Sequence, residues 1–306
     1  MDGRKTVVGL GFFDGLHIGH RELIRRVKVI ATENRLDSVI FTFSEHPNVA
    51  LGKAHNTKLL MTNKRKNDLI LEMCIDQVIF ERFTSEIAGM SPEEFASEIL
   101  SKRICASKVV IGFNYHFGKQ GAGNAEDLVE FGKKYGFEVE VVNPVYFEDE
   151  LVSSTLIRRL IEGGEMRRVS ILLSRPFELL GVVTEGKRLG SKMNFPTANI
   201  FPQENIITPM CGVYATVVEI AGDNFFGVTN VGTNPTITSD DTVVVETHIF
   251  DFNKDIYGKE ILVKFVEMIR PEVKFDDVNK LFAQIAKDAR EAKGILYAEK
   301  SLHSRD

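Results

Sequence analysis

The stretch TVVGLGFFDGLHIGH, residues 6–20, decides how the first half of the chain folds. An apolar, β-branched run from Thr6 to Leu10 gives way to two glycines, an aspartate and two histidines. The run reads as a strand, and RELIRRVKVIATENR behind it (21–35) reads as a helix. In an open parallel sheet a ligand sits where a strand ends and its helix begins, facing free N–H groups and the positive end of the helix dipole. Gly11 and Gly15 permit a tight turn and close approach of backbone to a ligand. His17 and His20 share one side of the first helical turn and can donate hydrogen bonds to phosphate oxygens. With Asp14 in the same run, the stretch reads as a phosphate site.

The pattern around it is that of a parallel sheet. Further apolar strands are expected at 38–43, 76–80, 108–113 and 137–142, alternating with helices at 62–74, from Ser91 and at 124–135. Strands apolar throughout and separated by helices are buried on both faces, so a doubly wound, Rossmann-like α/β domain is expected. SSTLIRRLIEGG (153–164) and MRRVSILL (166–173) read as two closing helices, and Arg175-Pro176 marks the end of a first domain, 1–175.

The signal then becomes period-two and β-branched, at 177–184, 212–221, 225–232, 242–252 and 260–269. This predicts an antiparallel β-barrel for a second domain, 176–306. Val278, Leu281, Phe282, Ile285 and Ala289 form a stripe at helical spacing, which predicts a terminal helix from Asp276 to Lys300.

Composition narrows the function classes. The chain has 306 residues and a net charge of −5; residues 1–175 are balanced, and the acidic excess lies in 176–306. Neither half is basic enough for a general nucleic-acid surface. Cys74, Cys105 and Cys211 are dispersed, without the spacing of a zinc site or a disulfide framework. No window approaches the ~20 apolar residues of a membrane span. A soluble cytoplasmic protein acting on small molecules is expected, a monomer or weak homo-oligomer with no membrane and no nucleic-acid partner.

Several stretches of the second half carry chemistry. In GVVTEGKRLGSKMNFPTANI (181–200), Gly186 and Gly190 allow backbone N–H groups to approach phosphates. Thr197 and Asn199 offer a hydroxyl and an amide oxygen on one side of an extended segment, hard ligands for Mg²⁺ or partners for phosphate. Glu246 is a carboxylate in the apolar strand TVVVETHIF, either turned out to solvent or turned in with a partner or a task. His248 shares its face. Ser154 and Thr155 suit both helix capping and donation to phosphate. Lys64-Arg65-Lys66, after the N-cap candidate Thr62, reads as a solvated helix face, and His46-Pro47 as a turn.

GFFDGLHIGH resembles the HxGH nucleotidyltransferases. With FTFSEHP (41–47), IGFNYHFGKQGAGN (111–124), LVSSTLIR (151–158), NFPTANI (194–200) and VETHIFDF (245–252) in order along the chain, it resembles the bacterial bifunctional riboflavin kinase/FAD synthetases. The resemblance implies two ATP-dependent steps with Mg²⁺: phosphorylation of riboflavin to FMN, and adenylylation of FMN to FAD with release of pyrophosphate. It implies that His17, His20 and Arg158 hold ATP phosphates and that Asn114 lines the flavin or nucleotide pocket. It implies that Glu246 is the general base of the kinase, and that Arg270 and the terminal helix form the flavin edge. Three positions depart from the family: Phe12 stands in place of Asn, Leu156 in place of Arg, and Asn194 in place of Gly. Phe12 and Leu156 motivate an alternative, a kinase with a weak or inactive first half; a flavin-binding regulator without turnover is a third reading.

Overall fold

A computed structural model describes residues 5–45, 57–184, 195–233 and 243–303. The chain divides into two compact units, Met1–Ser154 and Thr155–Asp306. Among the described residues no helix is long and apolar enough to cross a membrane.

The first unit is built on a parallel sheet of β1 (Thr6–Leu10), β2 (Asp37–Phe43), β3 (Gln77–Glu81), β4 (Ala106–Gly112) and β5 (Glu138–Val142). The strand order is β3-β2-β1-β4-β5, so the winding reverses between β1 and β4. Every residue of the central β1 is buried, because layers cover both faces. On one side Leu23, Ile24 and Val27 of α1 (Ile18–Asn34) pack with Val7 and Ile40; on the other Phe95, Leu100 and Leu128 pack with Val8, Phe41 and Val109. A Cβ at Gly9 would lie 2.8 Å from Ile40 Cδ1 and Val27 Cγ2, so glycine is what lets α1 settle onto the sheet.

Local signals set the other helices of this unit. Thr62 caps α2 (Asn63–Glu72) by accepting from the Arg65 N–H. After α3 (Ser85–Gly89), Ser91 and Glu94 form a capping box on α4 (Pro92–Glu94), which runs on as a π-helical segment, Phe95–Arg103. Asn124 caps α5 (Ala125–Tyr135), and Gly136 ends it at φ 80°. A short hairpin, β6 (Tyr146–Phe147) and β7 (Glu150–Leu151), follows β5.

Two helices, α6 (Ser154–Glu162) and α7 (Met166–Leu173), open the second unit. Its sheet holds β8 (Phe177–Val182), β9 (Ala198–Ile200), β10 (Gly212–Ile220), β11 (Asp223–Thr233), β12 (Val243–Ile249) and β13 (Glu260–Pro271). All neighbours are antiparallel, in the order β8-β13-β10-β11-β12-β9. Thr184, just past β8, bridges to Asn199 on β9, its N–H 2.9 Å from the Asn199 carbonyl oxygen. The two edges meet at this bridge, and the sheet curls into a barrel. Inside it the Tyr214 ring meets Phe265 edge-on at 5.3 Å.

The terminal helix α8 (Val278–His303) covers the outer face, where Ala289, Ala292 and Leu296 meet Val213, Ala215, Val228 and Val266. Here the expectation needs correction. The buried seam runs through the second half of the helix, whereas Val278, the first member of the expected stripe, is 63% exposed. The seam keeps Ala289 of the expected stripe and continues through Ala292 and Leu296; its small alanines let helix and strand backbones approach closely and give little hydrophobic signal in sequence.

Candidate active sites

In the first unit the loop from Gly11 to His17 leaves the carboxyl end of β1 at the switch point, beside the carboxyl end of β4. Its shape is demanding: Phe13 and Leu16 take left-handed φ values of 54° and 48°, with both side chains buried. Such conformations cost on the order of 1–3 kcal/mol each, so neighbours must hold them. The Phe12 carbonyl accepts from Thr42 Oγ1 at 3.0 Å and from Lys66 Nζ at 2.8 Å. Asp14 is 2% exposed; its Oδ1 accepts from the Leu60 N–H at 2.9 Å, and its carbonyl accepts from Ser154 Oγ at 2.9 Å.

His17 is itself the N-cap of α1, its Nδ1 accepting from the His20 N–H at 3.3 Å. An accepting Nδ1 places the ring proton on Nε2, leaving that N–H as a donor. The two imidazoles stack with centroids 3.6 Å apart. A Cβ on Gly19 would lie 3.2 Å from the His17 ring, so the glycine between the histidines keeps room for the stack. Burial pushes His17 down to about 4, and burial, the neighbouring His17 and Lys66 push His20 well below the usual histidine range. Both rings are therefore neutral at pH 7 and act as N–H dipoles rather than cations. His20 Nδ1 is buried with no hydrogen-bond partner among the described residues.

Lys66 corrects the reading of Lys64-Arg65-Lys66 as a solvated helix face, which holds for exposed Lys64. It is 1% exposed, its ammonium lies 4.1 Å from the centroid of the Phe12 ring, and burial lowers it to about 8 against the support of Asp14. Lys66, Leu69 and Ile70 are the buried residues of α2, at i, i+3 and i+4. That spacing was the available signal, and it outweighs residue type.

Asn114 is exposed in the loop after β4, its carbonyl 3.1 Å from His116 Nδ1. Thr155 is exposed, Arg158 half-buried and Leu156 buried, all on α6. Leu156 is 7% exposed on the apolar side of the helix, a setting in which an arginine would have to be buried.

In the second unit the strand register assembles the expected group. Glu246 on β12 lies opposite Asn199 on β9 and opposite Asn230 on β11, so the three share one face. Glu246 is half-buried and Asn199 is 4% exposed. The Asn199 amide turns its Nδ2 toward the Thr197 carbonyl at 3.3 Å, with Thr197 Oγ1 at 3.5 Å. His248 makes a hydrogen bond from Nδ1 to the Pro196 carbonyl at 2.9 Å and packs against Phe195 and Phe250, anchoring the strand before Thr197. A cavity of about 270 Å³ is lined by Thr197, Thr247 and the 252–257 segment, a wall that sequence reading missed. Arg270 is held by Asp288 of α8, its Nε and Nη2 both within 3.1 Å of the carboxylate. Gly186, Gly190 and Asn194 lie outside the described residues, as do His46 and Pro47.

Residues 1–156 match the FAD synthetase family model, and residues 173–296 match the riboflavin kinase model. A bifunctional riboflavin kinase/FMN adenylyltransferase of Listeria monocytogenes is 35% identical, over 94% of this chain and 91% of its own length. The Bacillus subtilis protein of the same name is 32% identical over 94% and 92%. Among solved structures, one described as a macrolide-efflux protein from Streptococcus pneumoniae is similar at 33% identity and a TM-score of 0.85, covering 93% of this chain and 92% of that one. With a strand-end HxGH loop in one unit and a carboxylate facing Asn199 in the other, this chain belongs to the bifunctional riboflavin kinase/FMN adenylyltransferase family.

Proposed function

We infer that the chain makes FAD in two steps at two sites, phosphorylating riboflavin to FMN and then adenylylating FMN. The register that sets Glu246 opposite Asn199, whose amide touches Thr197, carries the first step. Glu246 takes the proton from the riboflavin 5′-hydroxyl as that oxygen attacks the γ-phosphate of ATP, and ADP leaves. Thr197 Oγ1 and, once its amide swings from the Nδ2 contact with Thr197, Asn199 Oδ1 would be neutral oxygen donors that fit Mg²⁺ sharing its remaining positions with phosphates. When bound there, Mg²⁺ would neutralise charge on the ATP phosphates. The nearby cavity suits the nucleotide, Gly186 and Gly190 would approach its phosphates, and Arg270, fixed by Asp288, would stand at the flavin edge.

For the second step, a phosphate oxygen of FMN attacks the α-phosphate of ATP and pyrophosphate leaves. The attacking group is already anionic, so the protein needs positioning and donors rather than a base. His17 and His20 would supply neutral N–H donors, with the Gly11–Asp14 loop, Ser154, Thr155 and Arg158 around the phosphates and Asn114 lining the flavin pocket. We assign the adenylyltransferase to 1–175 and the kinase to 176–306. The free thiols of Cys74, Cys105 and Cys211 support a cytoplasmic enzyme; we assign it as a monomer or weak homo-oligomer.

A time course of riboflavin, ATP and Mg²⁺ tests both assignments. Wild type is expected to make FMN and then FAD. Glu246→Gln should slow FMN formation by roughly 10²–10⁴-fold yet still convert supplied FMN. His17→Asn/His20→Asn should make FMN and stop there. Equal loss of both steps in either variant would refute the two-site assignment.

A further inference from the structure

We propose that Lys66 is a positioning residue for adenylyl transfer, holding the Gly11–His17 loop from beneath in the one shape that turns His17 and His20 toward the ATP phosphates. The proposal rests on the adenylyl-transfer reading. Lys66 does not reach solvent, so it acts through the backbone rather than on the ligand. Its Nζ and Thr42 Oγ1 share the Phe12 carbonyl, the peptide that enters the left-handed Phe13. Phe12 folds its ring over the same ammonium at 4.1 Å, and Phe80 of β3 lies 5.9 Å away. Family members usually carry Asn where this chain has Phe12; here the aromatic face contributes a second hold on the cation. A buried ammonium is costly where leucine would fill the space, which is reason to look for a task beyond packing.

Among the described residues, the charged and titratable groups that act on Lys66 are Asp14 from the loop and His20 from the start of α1, which stacks on His17. Both histidines are neutral above pH 6.5, whereas burial brings Lys66 to about 8. An alkaline fall in FAD synthesis therefore reports on Lys66, because its hold on the Phe12 carbonyl weakens as the ammonium loses its proton.

The test uses the full chain, whose kinase step is an internal control. For Lys66→Met, kcat for FMN adenylylation should fall at least about tenfold, since small misplacements of reacting groups are costly, with riboflavin phosphorylation within twofold of wild type. Lys66→Arg should recover part of that loss and lack the alkaline limb near pH 8 that wild type is expected to show. Adenylylation within twofold of wild type in Lys66→Met overturns the proposal. So does a Lys66→Arg profile that keeps the limb, which decides the matter even if the methionine variant fails to fold. A wild-type chain that makes FMN but no FAD refutes the adenylyl-transfer reading itself, and this proposal with it.

Discussion

At the scale of single residues, His17 ties the site to stability. Burial lowers it from 6.5 to about 4 in the folded chain, so between those values the unfolded chain binds the extra proton. Stability then rises with pH across this window: it is complete above about pH 6.5 and is lost as pH falls toward 4. At 1.36 kcal/mol per pKa unit, His17 alone accounts for about 3 kcal/mol. Urea unfolding at pH 7 and pH 5 should show this slope, and His17→Gln should reduce it to the part that buried His20 supplies; an unchanged slope would mean that His17 is solvated. The histidines were legible from their position after an apolar strand. Their neutrality was not, because it comes from burial by residues distant in the chain. Lys66 shows the same limit: a lysine is read as solvated until its helix is docked, and then its place on the Leu69–Ile70 stripe decides.

At the scale of elements, the barrel carries a polar ladder in its core. The hydroxyls of Thr216, Thr229 and Thr247 link β10, β11 and β12 in sequence at 2.8 and 2.9 Å, all of them buried. Thr229→Val removes the middle member and strands its neighbours, so the second unit should lose about 2 kcal/mol in denaturant unfolding. A loss below ~0.5 kcal/mol would show that the outer two hydroxyls find other partners. Arg270 and Asp288 tie β13 to α8. The Asp288 side chain is 3% exposed, so Arg270→Leu leaves a buried carboxylate stripped of its cation. The expected cost is about 3–5 kcal/mol, with riboflavin phosphorylation lost at lower temperature than in wild type. Period-two patterning made these strands legible. The short β9 was read only as an extended segment, because its pairing with β12 and Thr184 is entirely non-local.

At the scale of the whole molecule, two sites on one chain make a prediction that neither unit makes alone. If FMN travels through solution, mixing Glu246→Gln with His17→Asn/His20→Asn should restore FAD synthesis from riboflavin, because each chain supplies the step the other lacks. Failure of the mixture, with both single steps intact on supplied substrates, would mean that FMN is passed within one chain. By itself the sequence determined the two-part architecture, the strand-end HxGH loop and the carboxylate of the kinase strand. Each is written in a local pattern: continuous apolar runs between helices, alternation at period two, and glycines where the backbone must turn tightly. Tertiary structure alone decided the closure of the barrel, the facing of Glu246 by Asn199, the neutrality of the histidines and the burial of Lys66 under Phe12. Each of these depends on contacts between residues far apart in sequence. Register, desolvation and hydrogen-bond partners belong to the packed molecule, and no local window of the chain contains them.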